Sequence, residues 1–403
     1  MKAMKPADEA LSQILDHVRP SQPHEQVPLL EALGRILAVD QVATLNVPPS
    51  DNSAMDGYAF CHDDLAALAP DQGLEISQRI PAGTVPKALT KGTAARIFTG
   101  AEIPEGADSV VMQEQCRPNE SDTQVIIPGD CPKGNNIRRA GQDIAKGSVI
   151  AAAGDLLSPQ TIGLLASIGI AQVPVYRQLR VAILSTGDEL AEPGTPLQEG
   201  QIYNSNRYLL ASLLQQMHLT VVDLGRVDDT PAATLAALSR ATLEADIIIS
   251  TGGVSVGEED HVKGAVEKLG ELNLWKLAIK PGKPLAFGRV GDTPFFGLPG
   301  NPVSTFVTFL LFARPYLQKM QGMEPKLPSG SLLPASFARS KPSIRQEYVR
   351  VKVDDDGNMH THPNQSSGVL SSTSWSNALA IVPADTRVEL GQAVRVVRYD
   401  QLF

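Results

Sequence analysis

Apolar residues recur at helical spacing in two separated segments of the first half of the chain. The first predicts an amphipathic helix over residues 7 to 19. The second begins with Ser158 as N-cap, followed by proline at the first helical position, and stops at Gly169. Because neither helix is long enough to bury its apolar face alone, we expect residues 1–40 and 152–175 to pack together as a helical linker domain.

Between these segments the pattern changes to short β-type runs broken by glycine and proline. Such runs are typical of strands separated by turns. They lie at residues 94–98, 109–112, 124–127 and 148–150. We therefore predict a β-rich domain over residues 41–151, inserted into the helical linker.

Strands and helices then alternate along residues 176–325. Apolar β-branched runs predict strands at residues 180–184, 220–224, 246–250 and 294–297. Capped, amphipathic segments between and after them predict helices, two of which begin at Thr230 and Asn301 with a proline next in the chain. This alternation is typical of a parallel sheet covered by helices on both faces, so a three-layer α/β/α central domain is expected.

The last part of the chain follows a segment rich in proline, serine and glycine at residues 325–330. Alternating apolar and polar positions at residues 348–353 and 393–398 predict a small C-terminal β-barrel or sandwich over residues 331–403. The predicted fold class is thus multidomain α/β: a helical linker domain, an inserted β-rich domain, the central domain and a C-terminal β-barrel.

Composition limits the function classes. With 403 residues, 42% of them hydrophobic and 20% charged, several domains can each bury a core. A net charge of −9 lacks the basic signature of a nucleic-acid binder. No apolar run approaches the roughly 18 residues of a membrane span, and the three cysteines form no CxxC pair. We expect a cytoplasmic enzyme that binds neither nucleic acid nor membrane.

Acidic residues collect where the predicted central strands end. In an open parallel sheet these ends share one edge, so the carboxylates can share one pocket. They are Asp188, Glu189, Asp228, Asp229 and Asp260. A set of oxygen ligands without histidine or cysteine favours Mg²⁺, which usually keeps positions for a substrate phosphate. A single carboxylate after a strand is more often a helix cap or a solvated loop residue than a ligand, but five at consecutive strand ends favour a functional site.

Glycines and lysines follow the third and later strands. The Gly252-Gly253 pair predicts a tight turn whose amides, at a helix N-terminus, suit an anion. Lys280 and Lys283 flank a Pro-Gly turn that is expected to aim their ammonium groups. Together with the carboxylates they predict a phosphate-bearing ligand held through a divalent ion. The alternative is that these lysines are only solvated.

Two loops of the β-rich region are also unusual. Residues 47–59 are rich in proline, asparagine and serine, and residues 135–143 place two arginines and an aspartate among glycines. Ordinary turn clusters would explain both loops. An anion-facing role for the second loop is the alternative.

The ordered set of motifs resembles the molybdopterin molybdenumtransferase family of molybdenum-cofactor biosynthesis, which the E domain of gephyrin also represents. The resemblance covers almost the whole chain and is weakest in the C-terminal part. Its motifs are residues 51–59, 96–100, 110–114, 136–139, 184–190, 251–257, 280–284 and 298–302, with 345–348 and 365–367 near the end.

The resemblance implies a molybdenum insertase with a Rossmann-like, molybdopterin-binding central domain. Such an enzyme takes adenylylated molybdopterin and molybdate, and releases AMP in a Mg²⁺-dependent step. The implied metal ligands are Glu189, Asp228 and Asp260. The implied pterin, phosphate and molybdate contacts are Gly252, Gly253, Ser255, Pro281, Pro299, Asn301, Arg345 and Ser367. The implied catalytic residues are Asp56, Thr99, Asp143, Lys276, Lys280 and Lys283.

The resemblance also implies partners. Asp56, Thr99 and Asp143 are expected to reach the site from the other subunit of a homodimer, and the upstream molybdopterin adenylyltransferase is an expected partner. Two alternatives use the same central domain, namely an adenylyltransferase of this pathway and a pyrophosphate-cleaving nucleotide hydrolase. Neither is expected to carry both the 52–58 loop and the C-terminal part. A non-catalytic scaffold would need additional partner-binding segments.

Overall fold

The computed structural model describes residues 4–19, 23–69, 71–252, 261–325 and 328–402. Its centre is a six-stranded sheet with four parallel strands and two antiparallel strands at one edge. In order across the sheet the strands are Thr220–Val227, Arg180–Thr186, Ile247–Thr251, Thr293–Leu298, Pro284–Val290 and Gly270–Lys276. The four predicted strands are present, and the two antiparallel ones were not predicted.

Helices cover both faces of this sheet. Pro231–Glu244 and His261–Leu269 bury one face with Leu238, Val262 and Val266. The other face packs against Ser205–Gln216 and a long helical segment near residue 310, in a core that includes Phe296. That segment consists of Pro302–Thr308, a π-helical turn Phe309–Ala313 and Arg314–Met320.

The N-terminal helix Ala7–Asp16 belongs to the central core. Its Ala10 and Ile14 are fully buried in the cluster that also contains Leu317 of the last long helix. The prediction that it packs against the helix beginning after Ser158 is therefore wrong, although residues 24–38 do pack with residues 151–175 as expected. The first helix packs against Arg314–Met320 in the central core, whereas the second helix buries its Leu165 in a different cluster.

The linker is a mixed structure. Strand His24–Pro28 pairs antiparallel with Gln172–Tyr176, and helix Pro159–Ser167 lies over them. Ser158 caps this helix as expected, since its hydroxyl accepts a hydrogen bond from the Thr161 N–H. The 3-10 turn Leu29–Glu31 and the two-stranded pair Gln41–Val42 with Val149–Ala151 complete the region.

The β-rich region contains its own six-stranded sheet. Its strands are, in order, Ser109–Met112, Gly57–Phe60, Thr93–Ile97, Leu74–Ile80, Gln124–Ile126 and Arg117–Pro118. A short helix, His62–Leu65, a 3-10 turn, Gln113–Gln115, and a strand pair, Asn52–Ser53 with Ile137–Arg138, surround it. Two small apolar clusters, one on each side, form its core.

The C-terminal sheet reaches back into the central domain. Its pairings run from Ile279–Lys280 through Gln346–Val353, Ala378–Val382 and Ala393–Arg398 to Ser331–Pro334, with Met359–Thr361 on the second strand. Helix Ser371–Trp375 and the 3-10 turn Tyr399–Gln401 flank it. Among the described pairings the last strand does not return to the first, so a closed barrel stays a prediction.

A further short pair, Leu190–Ala191 with Ile202–Tyr203, lies beside the central sheet. None of the described helices has the length and apolar character that a membrane crossing requires.

Candidate functional site

A cleft of about 1060 Å³ lies at the carboxyl ends of the central parallel strands. Three of those strands end at Thr186, Thr251 and Leu298, and the turns after them form one wall. The opposite wall comes from the C-terminal part, at Arg345 and the loop of residues 365–370. The cleft therefore lies where an open α/β sheet usually binds its ligand.

Nine of the residues singled out in the sequence line this cleft. They are Glu189, Gly252, Lys280, Pro281, Lys283, Pro299, Asn301, Arg345 and Ser367. They come from six separate stretches of sequence, which the strand ends and the C-terminal sheet bring together. The cleft carries three cationic side chains and one carboxylate among them, so this set of residues favours an anionic ligand.

Two glycines allow the close backbone approach that shapes the cleft. Gly252 has φ of 80°, and a Cβ there would lie 3.0 Å from the carbonyl oxygen of Thr186. Gly282 has φ of 104°, and a Cβ there would lie 2.6 Å from Cγ2 of Thr308. Both positions need a left-handed backbone with no side chain, which glycine alone provides without strain.

The turn after the Thr293–Leu298 strand is held by hydrogen bonds from two directions. The Thr305 hydroxyl donates to the carbonyl oxygen of Pro299 at 2.5 Å, and Asn206 Nδ2 donates to that of Gly300 at 2.7 Å. Asn301 occupies the predicted N-cap position, yet its side chain makes no cap hydrogen bond and is exposed. Its amide therefore faces the cleft instead of closing its own helix.

The loop that carries Ser367 is supported by a buried arginine. Arg350 is 1% exposed, and its guanidinium donates to the Ser366 carbonyl oxygen at 3.2 Å and to the Ser372 hydroxyl at 3.2 Å. Burial lowers the pKa of Arg350. Gln365 adds hydrogen bonds to both backbone groups of Arg350. The loop is thus fixed from behind by a side chain that the sequence reasoning did not select.

Lys280 is anchored by an ion pair across the two parts of the molecule. Its ammonium lies 3.0 Å from Oε1 of Glu347, whose Oε2 lies 3.2 Å from Nε of Arg339. Burial acts to raise the pKa of Glu347, but the hydrogen bonds and charges of Lys280 and Arg339 outweigh it and lower that pKa. Glu347 is therefore ionised at neutral pH.

Lys276 and Asp228 are among the predicted residues that lie outside the cleft lining. Lys276 is the exposed last residue of the Gly270–Lys276 strand, where it pairs with Pro284. The side chain of Asp228 is 73% exposed and lies 3.3 Å from the Arg226 guanidinium. A position at or just after a strand end is therefore not enough to bring a side chain into the cleft.

Other predicted residues lie outside the described part of the chain, namely Gly253, Ser255 and Asp260. Among the residues that are described, no three histidine, cysteine, aspartate or glutamate side chains form a group suited to a metal ion. Of the five carboxylates expected to share a pocket, Glu189 alone among the described ones lines the cleft. The described residues by themselves do not make a Mg²⁺ site.

The β-rich region holds the remaining predicted residues apart from the cleft. Asp56 Oδ1 accepts hydrogen bonds from both the backbone N–H and the hydroxyl of Thr99, each at 2.8 Å. The backbone donor first, and then the hydroxyl, lower the pKa of Asp56. Asp143 is exposed, and its N–H donates to the carbonyl oxygen of Val47 at 3.0 Å. None of the three lines the cleft of this chain.

Known proteins match nearly the whole length of this chain. Three family models match in order: the MoeA N-terminal region (domain I and II) over residues 5–169, a probable molybdopterin binding domain over residues 182–319, and the MoeA C-terminal region (domain IV) over residues 333–399. The molybdopterin molybdenumtransferase of Haemophilus influenzae is 41% identical over 98% of this chain and 99% of its own length. The chain belongs to the molybdopterin molybdenumtransferase family.

Other members of the family match over comparable lengths. The molybdopterin molybdenumtransferase of Bacillus subtilis is 35% identical over 97% of this chain and 93% of its own. A solved molybdopterin biosynthesis MoeA protein from Pyrococcus horikoshii OT3 is 31% identical with a TM-score of 0.84, covering 98% of this chain and 100% of that one. The multidomain architecture with mixed sheets is therefore that of a MoeA protein.

Three further residues of this family member line the cleft and were missed by sequence reasoning. Asn204, Ser205 and Asn206 lie at the start of helix Ser205–Gln216, where Asn204 accepts a hydrogen bond from the Arg207 N–H. The signal was available in the sequence, because a polar Asn-Ser-Asn run directly before an apolar stripe predicts a helix N-terminus.

Proposed function

We propose that this chain is a molybdenum insertase, which inserts molybdenum from molybdate into adenylylated molybdopterin and releases AMP. Membership of the molybdopterin molybdenumtransferase family supports the insertion of molybdenum into molybdopterin. The observation that carries the proposal to this chain is the cleft, in which two lysines and an arginine meet beside a hydroxyl group. Cationic and hydroxyl donors of this kind suit a tetrahedral oxyanion.

The oxyanion end of the proposed site consists of Lys280, Lys283, Arg345 and Ser367. Lys280 and Lys283 are exposed on the Pro-Gly turn, whose backbone Gly282 fixes. Arg345 and Ser367 approach from the C-terminal part. A guanidinium fork and two ammonium groups would hold molybdate next to the pterin dithiolene and stabilise the charge that moves there.

The pterin and phosphate end of the proposed site is the wall formed by the strand ends. The Gly252 turn, with Gly253 and Ser255 beyond the described part, would receive the phosphate on backbone amides. Pro281, Pro299 and Asn301 would flank the pterin. Lys276 lies outside the cleft lining, so it would act on the bound ligand only through its charge.

Mg²⁺ is part of the proposal as a group that neutralises the phosphate bridge while it breaks. Glu189 is the carboxylate that the described cleft offers it, and Asp260 is the second ligand expected from the sequence. Asp228 is the weakest member of this set, because its carboxylate already pairs with Arg226.

A homodimer is also proposed, in which Asp56, Thr99 and Asp143 of one subunit complete the cleft of the other. Large apolar side chains are exposed along the linker and its neighbouring loops, which supports an interface there. These are Leu30, Leu33, Val39, Val42, Leu45, Val149 and Leu156. The upstream molybdopterin adenylyltransferase is the proposed donor of the nucleotide substrate, and three free cysteines fit a reducing, cytoplasmic compartment.

The test separates molybdate binding from nucleotide binding. Lys283→Ala and Arg345→Ala should bind adenylylated molybdopterin as the parent does in calorimetry. Each should need about ten- to a hundredfold more molybdate to release AMP, because one charge-assisted contact is lost. Omitting Mg²⁺ from the same assay should abolish AMP release by the parent.

Lys341→Ala is the matched control, because Lys341 is an exposed lysine of the same C-terminal part outside the cleft. It should behave as the parent in both measurements. If both cleft variants lose the pterin nucleotide and respond to molybdate normally, the two ends of the site are reversed. A parent chain that releases no AMP in the presence of molybdate would refute the proposed function.

A further inference from the structure

We propose that Glu347 is a positioning residue for the oxyanion end of the cleft, because it holds the ammonium group of Lys280 where molybdate is bound. The inference rests on the proposed function, since it assigns a role in that same site. It concerns a residue that does not itself line the cleft.

The backbone brings the two residues together. Ile279–Lys280 pairs in parallel with the start of the Gln346–Val353 strand, and this pairing places Lys280 directly opposite Glu347. The Gln346 N–H donates to the Ala278 carbonyl oxygen at 2.8 Å, which fixes the register next to the pair. The C-terminal sheet thus ends on the turn that carries both cleft lysines.

The two side chains differ in exposure, since that of Glu347 is mostly buried and that of Lys280 is accessible. Glu347 has a side chain only 11% exposed, whereas that of Lys280 is 49% exposed. One carboxylate oxygen receives Lys280 at 3.0 Å. An ammonium group has three donors, so two remain for an oxyanion in the cleft.

Arg339 completes the anchor from the far side. Its Nε donates to the second carboxylate oxygen at 3.2 Å, and its N–H donates to the Val388 carbonyl oxygen at 2.7 Å. The guanidinium also lies over the Phe337 ring, with Cζ 4.9 Å from the centroid. Both oxygens of Glu347 are therefore engaged, and the carboxylate has a single orientation from which it can hold Lys280.

Ordering the Lys280 side chain before the ligand arrives lowers the entropy cost of binding. A free lysine side chain loses much rotamer freedom when it is immobilised on a ligand, and a pre-ordered one loses less. Lys283 on the same turn is exposed, and no ion pair is found for it among the described residues. The structure thus assigns different roles to the two lysines: Lys280 is pre-ordered by Glu347, and Lys283 is ordered by the ligand.

The test compares Glu347→Ala, Glu347→Gln and the matched control Glu389→Ala, since Glu389 is an exposed glutamate of the same C-terminal part. We expect Glu347→Ala to raise the half-saturating molybdate concentration about three- to tenfold, with little change in turnover at saturation. Glu347→Gln should recover most of this loss, because an amide oxygen still accepts a hydrogen bond from Lys280. Glu389→Ala should match the parent.

Testing Glu347→Ala in a Lys280→Met protein distinguishes the positioning of Lys280 from general structural support. In Lys280→Met the substitution Glu347→Ala should have no further effect on molybdate, because the group that it positions is gone. Equal losses in both backgrounds would overturn the proposal, as would a similar loss of affinity for the pterin nucleotide. A fall in half-saturating molybdate in Glu347→Gln would also overturn it, since the carboxylate would then oppose the oxyanion by charge.

Calorimetric titration with molybdate alone separates this inference from the proposed function. If the parent binds molybdate but releases no AMP, the proposed function fails, and the effect of Glu347 on binding is still measured. If Glu347→Ala is too unstable to assay, Glu347→Met keeps most of the side-chain volume, removes the acceptor and gives the same comparison in the two backgrounds. A Glu347→Met protein that binds molybdate as the parent does would overturn the proposal.

Discussion

The cleft and the Asp56–Thr99 pair are built in different ways. The cleft gathers Lys280, Lys283 and Arg345 from distant stretches of sequence, held by the central and C-terminal sheets. Asp56 and Thr99 lie on neighbouring loops of one sheet in the β-rich region and bond to each other. The cleft is a cationic pocket, whereas the pair is a carboxylate that accepts hydrogen bonds from the N–H and hydroxyl groups of Thr99. The difference indicates that the cleft and the Asp56–Thr99 pair each form on a core of their own.

Loss of the support behind the cleft should have the largest effect on stability. Arg350→Met removes the donors to the Ser366 carbonyl oxygen and the Ser372 hydroxyl, so the segment that contains Ser367 loses both of these hydrogen bonds. We expect the free energy of unfolding in urea to fall by about 1–3 kcal/mol.

The exposed Arg387 supplies the control for this measurement, because Arg387→Met changes the same chemistry at the surface of the same part. It should leave the unfolding midpoint nearly unchanged. Equal losses in the two variants would mean that Arg350 does not fix the Ser367 loop.

The smaller effect concerns the β-rich region. Thr99→Val removes the hydroxyl donor to Asp56 and keeps the backbone donor, so the pKa of Asp56 should rise toward 3.8 without reaching it. Because the folded-state pKa is lowered, the contribution of Asp56 to stability is present above pH 3.8 and is lost as the pH falls through the folded value. The variant should therefore show a weaker acid dependence of stability.

Carboxyl NMR titration of Asp56 measures this directly. An unchanged Asp56 titration in Thr99→Val would show that the hydroxyl contributes nothing, and that the pair is held by the backbone alone. The same titration in Lys341→Ala should match that of the parent, since Lys341 is exposed and lies outside the cleft.

Local signals in the sequence predicted most of the central fold. Ser158 and Thr230 cap the helices that follow them, because a hydroxyl before a proline at the first helical position satisfies an otherwise free N–H. The β-branched run before Gly252 is a buried strand. These features depend on neighbouring residues only, which is why a single sequence contains them.

Features that depend on distant residues were predicted less well. Leu272 and Leu274 alternate with polar residues in the Gly270–Lys276 strand, a signal that was available but not used. Placement of Ala7–Asp16 depended on which apolar surface was free in three dimensions. Asp228 follows a strand as expected, yet its carboxylate pairs with Arg226 and does not line the cleft. The support of Ser367 by Arg350 could not be inferred from spacing.

The measurement that tests the central claim most directly is subunit complementation. Asp56→Asn and Lys283→Ala each damage one half of the proposed site, and each homodimer should have low molybdate-dependent AMP release at limiting molybdate. If the halves come from different subunits, a mixed dimer contains one intact site and one doubly damaged site. Co-refolding the two variants in equal amounts should then restore about a quarter of the parent activity, because about half of randomly formed dimers are mixed. A mixture no more active than the average of the two variants would contradict the account, since each half-site would then serve its own chain.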